Sequence, residues 1–320
     1  MIEKTNYIAN TLDDFMQEVL YELLRAQDFV TATRSDELGN FSEIVGATLV
    51  LTNPRARLSR SESKGKLFSA LGEFFWYMSG TNGLGFIDYY IPNVYKKEAD
   101  NGIVHSGYGD RLFSRFGINQ LANIIEKLKT SPTSRQAVIQ IFSALDLQYR
   151  SVPCTCTLQF LLRNERLHLL VNMRSNDAYL GLPHDVFAFT MIQEIIARSL
   201  NVDVGIYKHF VGSLHLYQKH RPSAENYLNE GWQNEISMDP MPIGDPWPAL
   251  EIVQGIERQL RENSKVDFTD IDIHEYWRDI CLILAIWRRI KEKDYPGCDQ
   301  LKNKLTSKFY NTFIDTRISA

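Results

Sequence analysis

The stretch from Ser151 to Asp185 constrains this chain more than any other. Thr157 to Leu162 and Leu167 to Met173 read as two strands, with apolar side chains recurring at a period of two. Arg163-Asn164-Glu165-Arg166 between them reads as a turn that folds the two runs into a hairpin. Such a hairpin carries the Pro153-Cys154 thiol and the Arg174-Ser175 pair towards one site. Asp185 then stands just before a long apolar helix in which Phe189, Ile192, Ile196 and Leu200 repeat at three- and four-residue steps.

Composition narrows the classes around this unit. A chain of 320 residues, 44% hydrophobic and 23% charged, is globular with a sizeable core. A net charge of −4 speaks against non-specific nucleic-acid binding but leaves room for a local anion pocket. Four cysteines at 154, 156, 281 and 298 are too few for a secreted disulfide framework of this length. No CxxC or His-rich cluster points to zinc, so no metal is expected. No apolar run approaches a membrane span, and Met1 to Asn6 lacks the apolar core of a signal peptide. These features read as a cytoplasmic protein with reduced thiols and no membrane partner.

Apolar spacing predicts a helix over 8–25, capped by Asn10 or Thr11, and a buried strand from Ile44 to Leu51. Phe68 to Met78 reads as a strongly apolar helix holding one acid, Glu73. Burial of that carboxylate is costly unless it is paired or protonated. Residues 92–117 read as an irregular loop, Ile118 to Leu128 as a helix and Val138 to Phe142 as a short strand. Val202 to Tyr217 reads as strand, and a further helix starts near Pro222. Pro240, Pro242, Pro246 and Pro248 mark a rigid linker, followed by a strong helix over 273–291. The expected division is a catalytic unit over 1–240, with 241–320 as a linker and helical extension packed on it.

Several motifs stand in series: Pro153-Cys154, Leu158-Gln159-Phe160, Arg174-Ser175-Asn176-Asp177, Leu180-Gly181-Leu182-Pro183 and His215-Leu216-Tyr217. In order and spacing the chain resembles the thymidylate synthase and pyrimidine nucleotide hydroxymethylase family, most tightly from Ser134 to Tyr217. The resemblance implies an α+β fold, a large twisted and mostly antiparallel sheet flanked by helices, forming a homodimer through sheet packing. It implies a pyrimidine nucleoside monophosphate as substrate and 5,10-methylenetetrahydrofolate as co-substrate. A cysteine thiolate would add to C6 of the base, so that C5 becomes the nucleophile for the one-carbon unit.

Residue by residue, the resemblance makes Cys154 the nucleophile, whose pKa an adjacent arginine would depress. Cys156 reads as a packing residue. Arg174 and Ser175 match the phosphate-binding pair, since a guanidinium fork suits phosphate. Arg135 matches the first of two arginines sent across the dimer interface, whereas Gln136 stands where the second is expected. Arg34 is a candidate to replace it. Glu73 matches the acid that moves protons through ordered water, and Tyr108 a tyrosine lining the nucleotide site. His215 and Tyr217 match residues bonding the sugar hydroxyl, and Asp177 and Gly181 fall on the folate side; Asp177 reads equally as a turn residue.

Asp185 carries the choice of base. Methylating members of the family carry asparagine there, after Leu-Pro-Phe, whereas this chain has Leu182-Pro183-His184-Asp185. An ionised aspartate cannot donate, so it would bind cytosine and repel O4 of uracil. A helix-capping role for Asp185 does not explain the acid, because asparagine caps as well. Thr155 and Ser213 are further departures, where methylating members carry histidine and aspartate. Both changes fit a site that hydrates the methylene intermediate instead of reducing it. The leading expectation is 5-hydroxymethylation of (deoxy)cytidylate; the alternatives are methylation of dUMP on the same scaffold, or a nucleotide-binding protein that has lost its chemistry. The ending Thr316 to Ala320 does not match the family's closing segment.

Overall fold

A computed structural model describes residues 2–31, 39–61, 65–264, 266 and 271–319. Its centre is a mixed six-stranded sheet in the order β1-β2-β6-β5-β4-β3. The strands are β1 (Asn6–Ala9), β2 (Phe41–Leu51), β3 (Val138–Gln140), β4 (Thr155–Arg163), β5 (Arg166–Asp177) and β6 (Asp203–Tyr217). β2 and β6, β5 and β4, and β4 and β3 pair antiparallel; β1 and β2, and β5 and β6, pair parallel. The helices are α1 (Leu12–Arg25), α2 (Leu67–Met78), α3 (Leu84–Tyr90), α4 (Gly109–Phe113), α5 (Gln120–Thr130), α6 (Gly181–Ser199), α7 (Arg221–Asn229), α8 (Trp247–Arg261), α9 (Glu275–Glu292), α10 (Tyr295–Lys302) and α11 (Asn311–Ser319).

The hairpin of β4 and β5 forms where the alternation places it. Asn164 and Glu165 both take positive φ, 49° and 57°, which matches the twist of a two-residue turn to that of its strands. β5, α6 and β6 then make a parallel crossover that buries α6 between the sheet and α2. The pairing is interrupted along one line across the sheet. Gly46 and Gly212 are skipped between β2 and β6, Arg174 and Gly212 between β5 and β6, and β4 shifts register at Cys156. A Cβ on Gly212 would stand 2.8 Å from the Arg174 carbonyl oxygen, so this close approach requires glycine. The kink frees the Arg174 end of β5 to meet the loop before β4.

Two expectations change at the ends of the chain. The helix expected over 8–25 begins at Leu12, because Thr11 and Asp14 form a reciprocal capping box. Residues 6–9 instead add an edge strand beside β2, with Ile8 left exposed. The Pro-rich segment is fastened to the core: Met238 and Met241 are buried, Met241 N–H donates to Glu194, and Arg198 Nε donates to the Met241 carbonyl. Pro248 opens α8 within its first turn, where its missing N–H costs no helical bond. α9 follows, and its Trp287 stacks on Phe68 of α2 at 5.3 Å.

Candidate active site

Cys154 ends the loop that leads into β4, and its carbonyl accepts from Arg174 N–H at 2.8 Å. The Arg174 guanidinium grips the same loop, with Nε donating to the Pro153 carbonyl at 3.0 Å and Nη2 to the Val152 carbonyl at 2.8 Å. Nη2 also lies 3.7 Å from Cys154 Sγ. Arg174 is otherwise open to solvent, so its outer edge is free to meet an anion. Burial pushes the half-buried Cys154 thiol up to about 11, against the pull of Arg174, and the carboxyls of Asp185 and Glu98 add to the rise. The depressed thiol expected from the sequence is therefore corrected: one guanidinium at this distance loses to desolvation.

Tyr108 sits directly behind the thiol. Its hydroxyl accepts from Thr155 N–H at 3.3 Å and from Thr155 Oγ1 at 2.9 Å, and its ring lies between Tyr77 and Phe189. Thr155 is thereby buried. Glu73 is buried on α2, where its Oε1 accepts from both Tyr77 and Tyr95 hydroxyls at 2.8 Å. Tyr77 follows Glu73 by one helical turn, so that contact was legible as an i,i+4 pair. Tyr95 arrives from the irregular segment and carried no sequence signal.

Asp185 lies inside α6, which already begins at Gly181. It is not the cap. Asp177 closes the turn ahead of the helix, with Oδ1 accepting from Tyr179 and Leu180 N–H, both at 2.8 Å. Gly181 keeps that corner narrow, since a Cβ there would stand 2.8 Å from Asn176 Oδ1. Burial pushes the Asp185 carboxyl well above its usual range, the Glu73 carboxyl adds to this, and a hydrogen bond with the Asn176 side chain opposes it. Asn176 Nδ2 is 3.1 Å from His209 Nε2, and His209 Nδ1 is 2.6 Å from the Tyr207 hydroxyl. Burial alone lowers His209 to about 3, so its ring is neutral, with one nitrogen donating and one accepting. This chain behind Asp185 was hidden in the sequence, although Asn176 lies inside a motif.

His215 and Tyr217 stand together at the end of β6, ring centroids 4.8 Å apart, and Ser175 Oγ is 3.4 Å from His215 Nδ1. Ser213 donates to Glu43 of β2 at 2.5 Å. Arg135 is not brought to this site. It is exposed, and its carbonyl accepts from Gln159, five residues along β4 from Cys154 and hence on the order of 15 Å away. Arg34 lies outside the described residues. A cleft of about 770 Å³ opens elsewhere, between the 236–243 segment, α9 and residues 306–309, and none of the expected site residues lines it.

A family model described as thymidylate synthase matches residues 62–280, more than half of the chain. A curated relative, the deoxyuridylate hydroxymethyltransferase of Bacillus phage SP01, is 27% identical over 225 residues, covering 65% of this chain and 56% of the relative. The chain thus aligns with little more than half the length of that protein. Every expected site residue except Arg34 falls within 62–280.

Proposed function

The chain belongs to the thymidylate synthase family, and from that premise we propose that it places a hydroxymethyl group on C5 of a pyrimidine nucleoside monophosphate. The observation that carries the reading is that Cys154, held by Arg174, lies within electrostatic reach of the buried Asp185. Such a thiol adds to C6, and Arg174 holds the negative charge that develops on sulfur when it leaves. With its pKa near 11 the thiol is almost wholly protonated in the resting protein, which keeps it quiet until substrate fills the site. Ser175, His215 and Tyr217 form the polar wall suited to phosphate and sugar.

5,10-Methylenetetrahydrofolate would supply the one-carbon unit. The corner beside Asp177 suits its flat, hydrogen-bonding ring: Oδ1 is taken by the turn while, among the described residues, no backbone donor meets Oδ2, and the neighbouring Leu180 is exposed. Asp177, Leu180 and Gly181 are the residues that would hold it.

The charge state of Asp185 changes the argument about the base. Burial pushes its carboxyl well above the usual range, which favours the protonated form over the ionised one expected from the sequence. A neutral acid offers one donor and one acceptor. It accepts from N4–H of cytosine and donates to N3, and that proton assists addition at C6 by drawing electrons from the ring. Cytidylate is the substrate this pairing supports. Deoxyuridylate is the second reading, because a neutral acid turned over also pairs with O4 and N3–H, and because the phage relative bears that substrate in its name.

A homodimer through the sheet completes the proposal. Helices α1 and α6 cover one face of the sheet, while the other carries Val45, Leu161, Leu170 and Phe210, with no helix packed over them among the described residues. A second copy on that face would bring Arg135 to its neighbour's phosphate, as would Arg34 if it serves there. Residues 241–320 form part of the same unit in this reading, since α9 backs the helix that holds Glu73. The test is incubation with methylenetetrahydrofolate and each of dCMP, CMP, dUMP and UMP, with products weighed by mass spectrometry. We expect a hydroxymethylated cytidylate and tetrahydrofolate, and Asp185→Asn should move preference towards uridylate. A methylated product with dihydrofolate would sink the hydroxymethyl reading, and full retention of cytidylate preference by the variant would sink the base argument.

A further inference from the structure

We propose that Glu98 is the base that removes a proton from the water that becomes the hydroxyl group; the proposal rests on the hydroxymethylation reading above. Glu98 follows α3 in a turn where Glu98 N–H and Ala99 N–H both donate to the Tyr95 carbonyl, at 3.1 and 3.0 Å. This one turn touches both ends of the site. Tyr95 reaches Glu73 at 2.8 Å, and Glu98 Oε2 accepts from Ser151 Oγ at 2.7 Å, with Ser106 Oγ at 3.4 Å. Ser151 and Ser106 hydroxyls are themselves 2.7 Å apart. Each hydroxyl has one proton, so the consistent arrangement is Ser106 donating to Ser151 and Ser151 donating to Glu98. Ser151 is buried, three residues before Cys154, on the loop that Arg174 clamps. Glu98 itself is exposed, and among the described residues its Oε1 has no partner.

The carboxylate is therefore fixed through one oxygen and open to water through the other, close enough for its charge to act on the Cys154 thiol. The other groups of the site are occupied differently. Burial raises the Asp185 carboxyl well above its usual range, which favours the protonated form, a poor acceptor for a further proton. Glu73 is buried, with its Oε1 taking two tyrosine hydroxyls, and so lacks the open face to solvent that Glu98 has. His184 bridges the Leu180 carbonyl and Ser69.

The step balances without a further reactant. With Cys154 sulfur bonded to C6 and an exocyclic methylene on C5, water oxygen bonds to the methylene carbon and its proton passes to Glu98. The methylene π electrons move into the ring, then re-form the C5–C6 double bond as the C6–S bond breaks and Cys154 leaves as thiolate. Glu98 later releases its proton to solvent.

Glu98→Gln tests this against a structural role. Hydroxymethylation should fall roughly 100-fold. Exchange of the C5 hydrogen into deuterated water, which needs reversible addition of Cys154 and proton transfer at C5 but no water attack on the methylene, should stay within about twofold of wild type. Alkylation of Cys154 by iodoacetamide at pH 8 should become faster, because a negative charge near the thiol is gone. Glu98→Asp should recover part of the synthesis. Unchanged synthesis in Glu98→Gln, or synthesis and exchange falling together, overturns the proposal. Absence of exchange in the wild type with every pyrimidine nucleotide overturns the one-carbon reading itself, and this proposal with it.

Discussion

Helix α6 carries two buried carboxyls, Glu194 and Asp185, and they meet burial in opposite ways. Desolvation raises the pKa of both. At Glu194 the charges of Arg57 and Arg55 win, and the carboxylate is held below its usual range. Arg55 Nε donates to it at 2.7 Å, Arg57 bonds its other oxygen, and Met241 N–H adds a third bond at 3.1 Å. Among the described residues, no cation acts on Asp185. Its neighbours are Glu73, Asn176 and the tyrosines 77, 95 and 108, so it takes up a proton instead. The same helix thus holds an arginine-paired anion at one end and, at the other, a carboxyl that burial pushes towards its protonated form. Partners, more than depth, divide the two.

The largest effect that can break this comparison is Glu194→Gln. It leaves Arg57, whose Nε and Nη1 already lack partners, without its anion. We expect a loss of about 3–5 kcal/mol in urea denaturation; a loss below about 1 kcal/mol would mean that the arginines do not depend on Glu194. Asp185→Asn should do the reverse and stabilise the fold at pH 7, because the raised carboxyl of the folded state costs stability at about 1.4 kcal/mol for each pH unit by which it exceeds its unfolded value. The sign follows from linkage. The folded state holds the Asp185 proton more tightly than the unfolded chain, so its contribution is complete at low pH and is lost as pH rises from the unfolded value through the raised folded one. The difference between variant and wild type should shrink towards zero near pH 3; a gap that persists there would assign the effect to packing.

The smallest effect concerns the thiol, the third buried acid of this region. Alkylation of Cys154 should rise with pH around a midpoint near 11, where an unperturbed thiol titrates near 9. Arg174→Gln should push that midpoint higher still. A midpoint below 9 would show that Arg174 outweighs burial, and Cys154 would then belong with Glu194 among the charge-paired acids.

The elements most legible in the sequence are those whose period and boundaries agree. The β4–β5 hairpin has alternation and a turn, α2 and α6 have continuous apolar spacing, and Thr11 marks the start of α1. β1 was missed because four residues show too few repeats to separate a strand from the first turn of a helix. α8 was missed because Pro246 and Pro248 read as linker, although proline at a first turn is compatible with helix. Of the candidate site, Cys154, Arg174, Asp185, Glu73 and Tyr108 stand in motifs that name them as candidates from the sequence. Tyr95, Glu98 and Ser151 do not, since they meet only across an irregular segment with no period to read.

By itself the sequence determined which groups come together: hairpin register brings residue 174 to residue 154, and a crossover helix returns residue 185 to the same end of the sheet. These are consequences of chain geometry, and a period and a turn suffice to state them. Only the tertiary structure decided what those groups are as chemical species. Whether a thiol or carboxyl keeps its proton depends on the charges and water within a few ångströms, and those come from distant parts of the chain. Asp185 follows proline and histidine in the sequence, but its tendency to hold a proton comes from burial, from Glu73 on α2 and from Asn176, and among the described residues no arginine reaches it as two reach Glu194.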